Sequence, residues 1–295
     1  MISICIPIYN YDANLLVESI LAQADASEII IEILIGDDCS TSKFNNSKLN
    51  KGDKVRYIYN EQNFGRSKNR NELAKKARFN YLLFIDCDAQ LQSANFLSLY
   101  YKSISENCQV VCGGTAYTKE KQAKIYNLHW KYGSTVEAKP IEERKKEPNQ
   151  SFSSFNFLIK KDLFLSIKFN ESLTKYGHED TLLGYELKKK GIQITQIDNP
   201  LIHTGIEDNK IFLEKTLTGL NNLIYIIKNV ETSPDFINDI KLLKFHRKLK
   251  KKGVTSLLIF FYPILFPISK FILLNIKSDI KLFNFVKILY FTKNF

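Results

Sequence analysis

Residues 81–88 have the sequence YLLFIDCD, an apolar run that ends in two carboxylates separated by one residue. The length of the run and its branched and aromatic side chains are typical of a buried strand. In an extended segment residues i and i+2 face the same way, so Asp86 and Asp88 can converge on one ion. Carboxylate oxygens suit Mg²⁺ or Mn²⁺, which also bind substrate phosphates. The alternative is a pair of solvated acids in a turn.

Similar apolar runs precede and follow this strand and alternate with helical patterns. Strands are predicted over 2–7, 29–35, 55–59, 109–112, 154–159 and 192–197, and helices over 12–24, 67–78, 95–106, 180–190 and 209–229. Asp12 is the predicted N-cap of the first helix. The Lys- and Glu-rich segment 118–150 is predicted to be a solvated loop. This alternation predicts an α/β fold with a mixed, mostly parallel sheet flanked by helices.

Polar side chains follow three of the predicted strands. They are Tyr9 and Asn10, then Asp37 and Asp38, then Asp86 and Asp88. In open parallel sheets, ligands bind beyond the carboxyl ends of the strands. The coincidence of these clusters with strand ends is therefore the main evidence for a site.

Three further candidates each have a structural alternative. Asp38 can accept hydrogen bonds from a base or a ribose, or it can cap a helix or form a turn. Glu179 and Asp180 begin a predicted helix, where a carboxylate can serve as a general base or merely complement the helix dipole. His203 follows a predicted strand and can bind a metal, although a lone histidine is more often structural.

The net charge of +11 is unevenly distributed over the 295 residues. Residues 1–240 contain 30 Lys or Arg and 30 Asp or Glu, whereas residues 241–295 contain 12 Lys or Arg and one acid, Asp279. A neutral body with a basic, apolar end indicates a membrane surface rather than nucleic acid. The five scattered cysteines indicate a reduced compartment, and we expect no secretory signal before the first strand.

The basic end combines charge with a long apolar run. Residues 241–252 contain seven Lys or Arg, and residues 254–269 contain none but include Pro263 and Pro267. A spanning helix needs about 20 apolar residues, which this run nearly reaches. We expect peripheral attachment of residues 241–295 to an anionic membrane surface. One true span, or a packed helical cap with a basic rim, is the alternative.

The motifs together resemble those of family 2 glycosyltransferases of the GT-A fold. The opening segment 3–10 is similar to the start of that family, and Gly36-Asp37-Asp38-Cys39-Ser40 is similar to its second motif. Segment 63–71 resembles the family's asparagine–glycine and arginine–asparagine motif. Asp86-Cys87-Asp88 resembles its DxD motif, and segment 177–180 resembles its later acidic motif. The five motifs stand in the family's order over residues 2–205. Asn69 and His178 stand where the family usually has alanine and glycine.

The resemblance implies a role for each matched residue. The implied nucleotide-sugar-binding residues are Pro7, Tyr9, Asp38, Arg70 and Asp86. The implied metal ligands are Asp88 and His203. The implied catalytic residues are Asp180, as the base, and Glu179, which holds the acceptor or donor sugar.

The resemblance further implies an inverting, metal-dependent transfer of a hexosyl or N-acetylhexosaminyl group. The implied donor is a nucleoside diphosphate sugar, and the implied cofactor is Mn²⁺ or Mg²⁺. The implied acceptor is a hydroxyl of a glycan or a lipid-linked molecule, and the implied pathway is cell-surface polysaccharide or lipopolysaccharide biosynthesis. We expect a cytoplasmic enzyme on the inner face of the cell membrane, with no nucleic-acid partner. Its predicted domains are a GT-A domain over 1–230, with a nucleotide-sugar half at about 1–112 and an acceptor half at about 113–230, and a helical tail over 231–295.

Two other classes of protein remain possible from the residues. A phosphoryl-transfer enzyme of the haloacid dehalogenase type also uses a strand-end DxD, but Gln90 occupies the position where that motif continues with Thr or Val. A catalytically degenerate carbohydrate-binding relative would need no base, whereas all the acidic groups are present here.

Overall fold

The computed structural model describes residues 1–41, 44, 46–120 and 122–295. The chain forms two compact units. The first consists of Met1–Thr118, Glu137–Thr174 and Glu179–Gly205, and the second of Lys119–Val136, Lys175–His178 and Ile206–Phe295. The helix over 209–229 therefore belongs to the same unit as the segments that follow it. The domain boundary at residue 230 stays a prediction.

The strands all lie in the first unit. They are β1 (Ile2–Ile8), β2 (Ile31–Asp37), β3 (Val55–Tyr59), β4 (Tyr81–Ile85), β5 (Ala89–Gln90), β6 (Val110–Cys112), β7 (Thr115–Ala116), β8 (Asn156–Lys160), β9 (Thr195–Gln196) and β10 (Leu201–His203).

The helices are distributed over both units. They are α1 (Asn14–Ala26), α2 (Gly65–Lys76), α3 (Phe96–Ser105), α4 (Asn127–Tyr132), α5 (Ile141–Lys146), α6 (Lys161–Ile167), α7 (Glu179–Lys189), α8 (Asn209–Asn229), α9 (Pro234–Asp239), α10 (Lys241–Lys251), α11 (Val254–Phe271) and α12 (Ile280–Asn294). Short 3₁₀ turns occur at Asn46–Leu49 and Lys124–Tyr126, and π-helical turns at Gly133–Glu137 and Ile272–Ile276.

Within the described residues, the main sheet has seven strands in the order β3-β2-β1-β4-β8-β6-β9. All neighbouring pairs are parallel except β4–β8 and β8–β6, because β8 alone runs in the opposite direction. The predicted mixed, mostly parallel α/β sheet is therefore confirmed. The carboxyl ends of β1, β2 and β4 meet at one edge of this sheet, which we call the carboxyl edge.

The two faces of the main sheet are covered by different apolar layers. Along β1, Ile4 and Ile6 join the layer that includes α1 and α3, whereas Cys5 joins the layer that includes α2, α6 and α7. This alternation is the period of two that a strand buried on both faces requires. On the second face Phe84 contacts Phe157, with ring centroids 4.9 Å apart.

A small second sheet positions the segment after β4. It has the order β5-β10-β7, and β10 pairs antiparallel with β5 so that His203 lies opposite Ala89. This pairing brings the segment that ends in Gly205 beside Asp88.

The second unit is helical and has a core of its own. Leu128, Phe212 and Phe283 are buried together there, and Phe212 stacks on Phe283 with ring centroids 5.5 Å apart. α11 packs against α12 and continues through Pro263 and Pro267. The stretch Val254–Ile276 is long and apolar enough to cross a membrane, and it is the one such helix in the described part of the chain.

Two local predictions are wrong. Ala13, not Asp12, is the N-cap of α1, although Asp12 still accepts a hydrogen bond from the Asn14 amide at 2.9 Å. Segment 118–150 is not simply a solvated loop, because it contains α4 and α5 and buries Leu128 and Arg144. The Lys- and Glu-rich composition describes the exposed faces of these short helices.

The buried Arg144 holds the connection after β6 in place. Its guanidinium donates to the carbonyl oxygens of Cys112, Gly113 and Ile197, at 3.3, 3.2 and 2.8 Å, and to the side chain of Gln196 at 2.6 Å. We expect Arg144→Met to lower the free energy of unfolding by about 3 kcal/mol, because it leaves several buried acceptors without donors. Urea denaturation measures the change. Lys145→Met, which removes an exposed charge from the same helix, is the matched control, and equal effects of the two variants would contradict the interpretation.

Candidate active site

Asp86 is the first residue after β4 and is paired with a buried cation. The Arg70 side chain is 1% exposed, and its Nη2 donates to Oδ1 of Asp86. The guanidinium also lies over the ring of Phe169, 5.5 Å from its centroid. In the described part of the chain, Nε and Nη1 of Arg70 make no hydrogen bond. A buried cation with unused donors is costly, so a water or an anion beside these nitrogens would stabilise the pair.

Asp88 is paired with His203 across the small sheet. The distance from His203 Nε2 to Asp88 Oδ2 is 3.3 Å. The imidazole contacts the rings of Phe155 and Tyr117, whose centroids are 5.2 and 5.4 Å away. Burial would lower the pKa of His203, but the hydrogen bond and charge of Asp88 outweigh it and raise that pKa. Burial likewise opposes the effect of His203 on Asp88, whose pKa is lowered overall.

The Asp88–His203 pair could supply two of the ligands of a metal ion. Two ligands of one octahedral ion with bonds of about 2.1 Å lie about 3 Å apart, close to the separation of these two atoms. Among the described residues no cluster of three His, Cys, Asp or Glu side chains could hold an ion. The pair thus fits a divalent ion only if water and ligand oxygens complete the coordination.

Thr204 and Gly205 fix the Asp88 segment. The amide and the hydroxyl of Thr204 both donate to the Asp88 carbonyl oxygen at 2.8 Å, and the hydroxyl lies 3.1 Å from that of Tyr11. A Cβ atom at Gly205 would overlap the Asp88 carboxylate, so any other residue there would displace that side chain. The sequence analysis did not select these residues, and no local pattern marks them because Asp88 is more than a hundred residues away.

The acidic pair in the first turn of α7 has a different environment. Glu179 is buried and Asp180 is partly exposed. Asp180 Oδ1 accepts a hydrogen bond of 2.7 Å from the Thr181 amide. Burial, and next the charge of Glu179, raise the pKa of Asp180 to about 7, against the opposing charge of Arg70. A carboxylate with this pKa can take up and release a proton near neutral pH.

Asp38 is engaged inside the protein. Its Oδ1 accepts from the Phe64 amide at 2.7 Å and its Oδ2 from the Gly65 amide at 2.8 Å, at the start of α2. Asp38 therefore caps a helix, which was the structural alternative to binding a base or a ribose. The neighbouring Asp37 accepts from the Ser40 amide and the Tyr57 hydroxyl.

The two predicted nucleotide-binding residues near the end of β1 lie at the carboxyl edge. Pro7 is partly exposed and pairs in register with Gly36, and Tyr9, which follows β1, is 49% exposed. Asn10 adopts a left-handed conformation with φ of 51°. Its side chain accepts from the Thr41 amide at 2.8 Å, which ties the loops after β1 and β2 together.

The described contacts join four of the predicted site residues in two pairs, Arg70 with Asp86 and Asp88 with His203, whereas Asp38 contacts the start of α2. Arg66 was not selected from the sequence. Its positive charge acts on Asp88 and on Cys87, whose pKa is raised by burial and by the two flanking aspartates.

Known proteins resemble this chain in sequence. The model of Glycosyl transferase family 2 matches residues 3–167, more than half of the chain. Glycosyltransferase GlyG of Streptococcus pneumoniae serotype 4 (strain ATCC BAA-334 / TIGR4) is 27% identical over 195 residues. The match covers 62% of this chain and 64% of GlyG, so the chain spans less than two thirds of that relative's length.

Solved structures resemble it in fold. S. aureus TarS 1-349 matches with a TM-score of 0.54 and 16% identity, over 99% of this chain and 90% of that one. Mannosyltransferase PcManGT from Pyrobaculum calidifontis, in complex with GDP-Man and Mn²⁺, matches with a TM-score of 0.61 and 11% identity, over 99% and 85% of the two chains. These likenesses confirm the predicted GT-A-type fold.

The His203–Asp88 pair can be tested by titration of the metal-free protein. A raised pKa means that the pair stabilises the folded state below pH 6.5 and that this stabilisation is lost as pH rises through the folded-state pKa. In Asp88→Asn we expect the pKa of His203 to fall, because burial then dominates. NMR of the imidazole resonances measures it. His246 in α10, whose pKa is lowered by burial, is the control and should not move. An unchanged His203 pKa in the variant would show that the pair is not formed.

Proposed function

Because the chain belongs to glycosyl transferase family 2, we propose that it transfers a sugar from a nucleoside diphosphate sugar to a hydroxyl of a glycan or lipid-linked acceptor. One observation carries the proposal. The ion pair of Arg70 with Asp86 and the contact of Asp88 with His203 both lie next to the end of β4. Together they offer cationic and metal-binding groups where a diphosphate can bind.

The donor side of the site consists of the five predicted residues Pro7, Tyr9, Asp38, Arg70 and Asp86. The unused donors of Arg70 support its contact with an anionic part of the donor. Asp38 supports donor binding by holding the start of α2, and its contact with the base stays a prediction. TarS 1-349 has been solved in complex with UDP and PcManGT in complex with GDP-Man, so UDP- and GDP-sugars are the first donors to test.

Asp88 and His203 would hold a divalent ion, Mn²⁺ or Mg²⁺. When bound, such an ion neutralises the negative charge that develops on the leaving diphosphate. The 3.3 Å contact between their ligand atoms supports this assignment. The low pKa of Asp88 keeps its carboxylate ionised at neutral pH and therefore available as a ligand.

Asp180 acts as the base in a single displacement. It removes the proton of the acceptor hydroxyl, and the acceptor oxygen forms its bond to the anomeric carbon from the face opposite the diphosphate. The bond from that carbon to the diphosphate oxygen breaks, and its electron pair leaves with the diphosphate. One displacement inverts the anomeric carbon. Glu179, buried beside Asp180, raises the pKa of the base and holds a sugar hydroxyl.

The transferred group is of the hexosyl or N-acetylhexosaminyl type, and the product belongs to a cell-surface polysaccharide or lipopolysaccharide. A degenerate carbohydrate-binding relative is the main alternative. It would need none of the proton-transfer chemistry that the pKa of Asp180 supports.

Asp180→Asn should abolish transfer but retain nucleotide binding, because the amide cannot accept the acceptor proton. Asp88→Ala should also abolish transfer, by removing a metal ligand. The measurement is release of UDP or GDP from a donor panel with an acceptor mixture, with and without Mn²⁺. Asp162→Asn removes an exposed acid from the first turn of α6 and is the matched control. Full turnover by Asp180→Asn would exclude Asp180 as the base, and a wild type that binds donors without turnover would favour the degenerate relative.

The tail supports attachment to an anionic membrane surface. α10 carries most of the seven basic residues of segment 241–252, and most of them are exposed. Apart from Ile259, the exposed apolar side chains of α11 lie along one side of the helix. They include Leu257, Phe260, Phe261, Ile264, Ile268 and Phe271. An exposed apolar stripe beside a basic helix is typical of a helix that lies in the membrane interface.

In-plane attachment is the arrangement we favour. α11 packs on one side against α12, where Phe266 and Tyr290 lie 5.9 Å apart between ring centroids. This contact leaves the opposite side for lipid. The proposed location is the inner, cytoplasmic face of the cell membrane, where anionic lipids attract basic segments by about 1 kcal/mol per residue.

Vesicle sedimentation tests the attachment. Full-length protein should bind vesicles that contain phosphatidylglycerol more strongly than vesicles of phosphatidylcholine alone. Phe260→Asp with Ile264→Asp should weaken binding at least about tenfold, since burying two such side chains contributes more than 1.4 kcal/mol. Ile125→Asp, at an exposed apolar position outside the tail, is the control. Equal binding by all three proteins would exclude attachment through α11.

A further inference from the structure

The segment Lys175–His178, which we call the entry loop, leads directly into the first turn of α7 and so to the proposed base. We propose that Asn222 of α8 is a positioning residue for the reaction, because its side-chain amide holds the entry loop and thereby fixes where Asp180 stands. This inference rests on the proposed function, since it assigns a further residue to the same proton-transfer step.

Asn222 holds two carbonyl groups of the entry loop at once. Its Nδ2 donates to the carbonyl oxygen of Lys175 at 2.8 Å and to that of Gly177 at 2.9 Å. All three residues belong to the second unit. Asn222 is only 6% exposed, so loss of these bonds would leave two carbonyl groups in an environment where an unpaired acceptor is costly. Two bonds from one planar amide restrict both the distance of the loop from α8 and its rotation.

A close backbone contact lies beside these hydrogen bonds. Gly219 precedes Asn222 by three residues, so the two lie on the same side of α8. A Cβ atom on Gly177 would lie 2.8 Å from the Cα atom of Gly219, and Gly177 has a φ of 100°, which favours glycine. The absence of a side chain at Gly177 therefore lets the entry loop pack directly on α8, within reach of Asn222.

Gly219 and Asn222 are unfavourable for α8 itself. Both residue types have a lower helix propensity than alanine in a helix interior. Leu223 and Ile226, on the same side of the helix, are buried and apolar. The requirements of α8 therefore do not explain a buried asparagine at position 222, whereas the two carbonyl groups of the entry loop do.

The entry loop ends in a residue with an unfavourable backbone conformation. His178 has a φ of 66°, and this left-handed conformation costs energy in a residue with a Cβ atom. Such a conformation persists only when the surrounding contacts hold it. The carbonyl of Gly177 belongs to the peptide group that precedes His178, so the bond from Asn222 holds this residue from its N-terminal side. Without that bond we expect the loop to relax and to turn the start of α7, which carries Asp180.

The pKa of Asp180 reports where its carboxyl group stands. Burial, and next the charge of Glu179, raise this pKa to about 7. From other elements, the charge of Arg70 in α2 lowers it, and the buried thiol of Cys112 in β6 interacts with the same carboxyl group. Neither group belongs to the entry loop or to α8. If the first turn of α7 moves toward solvent, burial decreases and the pKa of Asp180 falls toward the ordinary range of an aspartate.

The pH dependence of transfer separates positioning from folding. The base must be ionised, so kcat rises with pH through the pKa of Asp180, and a lower pKa moves this acid limb to lower pH. A variant that merely unfolds more readily loses activity without moving the limb.

Two measurements on full-length protein test the inference. Asn222→Leu keeps the approximate size of the side chain and removes both donors. It should lower kcat at least about tenfold, with the KM for the donor changed less than about twofold, and should shift the acid limb to lower pH. Carbon-13 NMR of the aspartate carboxyl groups in the substrate-free protein should show directly that the pKa of Asp180 is lower in Asn222→Leu than in the wild type.

Asn221→Leu is the matched control, because Asn221 is the exposed neighbour on α8 and donates to the Tyr290 hydroxyl at 3.0 Å instead of the entry loop. It should leave the acid limb and the pKa of Asp180 unchanged. Asn222→Ala, whose smaller side chain cannot clash, is the second variant if Asn222→Leu does not fold, and it should shift both in the same direction.

An unshifted pKa of Asp180 in a folded variant of Asn222, or a shift of equal size in Asn221→Leu, would overturn the inference. A wild type without turnover on any donor would refute the proposed function. The carboxyl titration would still decide whether Asn222 positions Asp180, because it requires no substrate.

Discussion

The carboxylate of Asp38 accepts hydrogen bonds from the amides of Phe64, which precedes α2, and of Gly65, its first residue, and the placement of Arg70 depends on that contact. A capping interaction contributes about 1 kcal/mol to stability, but this one also fixes where the helix starts. Arg70 is buried one and a half turns further along and bonds to Asp86. A change in the start of the helix would move the guanidinium away from the end of β4. The contact that caps α2 therefore also places Arg70. In this way Asp38, which follows β2, affects the environment of Asp86, which follows β4.

The second requirement is close packing around Asp88. β10 pairs with β5 so that His203 reaches the Asp88 carboxylate, and the next two residues then run directly over it. Thr204 holds the Asp88 carbonyl with two donors, and Gly205 has no side chain because a Cβ atom would overlap the carboxylate. The carboxylate is therefore held in one orientation before any ligand binds, which reduces the entropy that binding must overcome.

Asp88 and Asp180, one from each acidic motif, differ in the direction in which their surroundings shift the carboxyl pKa. Beside His203 and Arg66 the pKa of Asp88 is lowered, whereas burial beside Glu179 raises the pKa of Asp180 to about 7. Carboxylates whose environments shift their pKa values in opposite directions are suited to different tasks. Asp88 stays ionised as a ligand for cations, and Asp180 can exchange a proton. Arg70 links the two, because it bonds to Asp86 and its charge also lowers the pKa of Asp180.

The sequence by itself determined the α/β class, most strand positions and the order of the polar clusters, because buried strands and their polar ends are local patterns. The strand over 81–85 and the helix over 209–229 were predicted with their observed bounds. Only the tertiary structure decided that Asp38 caps α2, that Arg144 is buried, and that Thr204 and Gly205 enclose Asp88. These contacts join residues that are at least 26 positions apart, as far as 116 for Thr204 and Asp88, or depend on which face of a short helix is covered. No local periodicity encodes such contacts, since they arise only when strands pair and helices pack on the sheet.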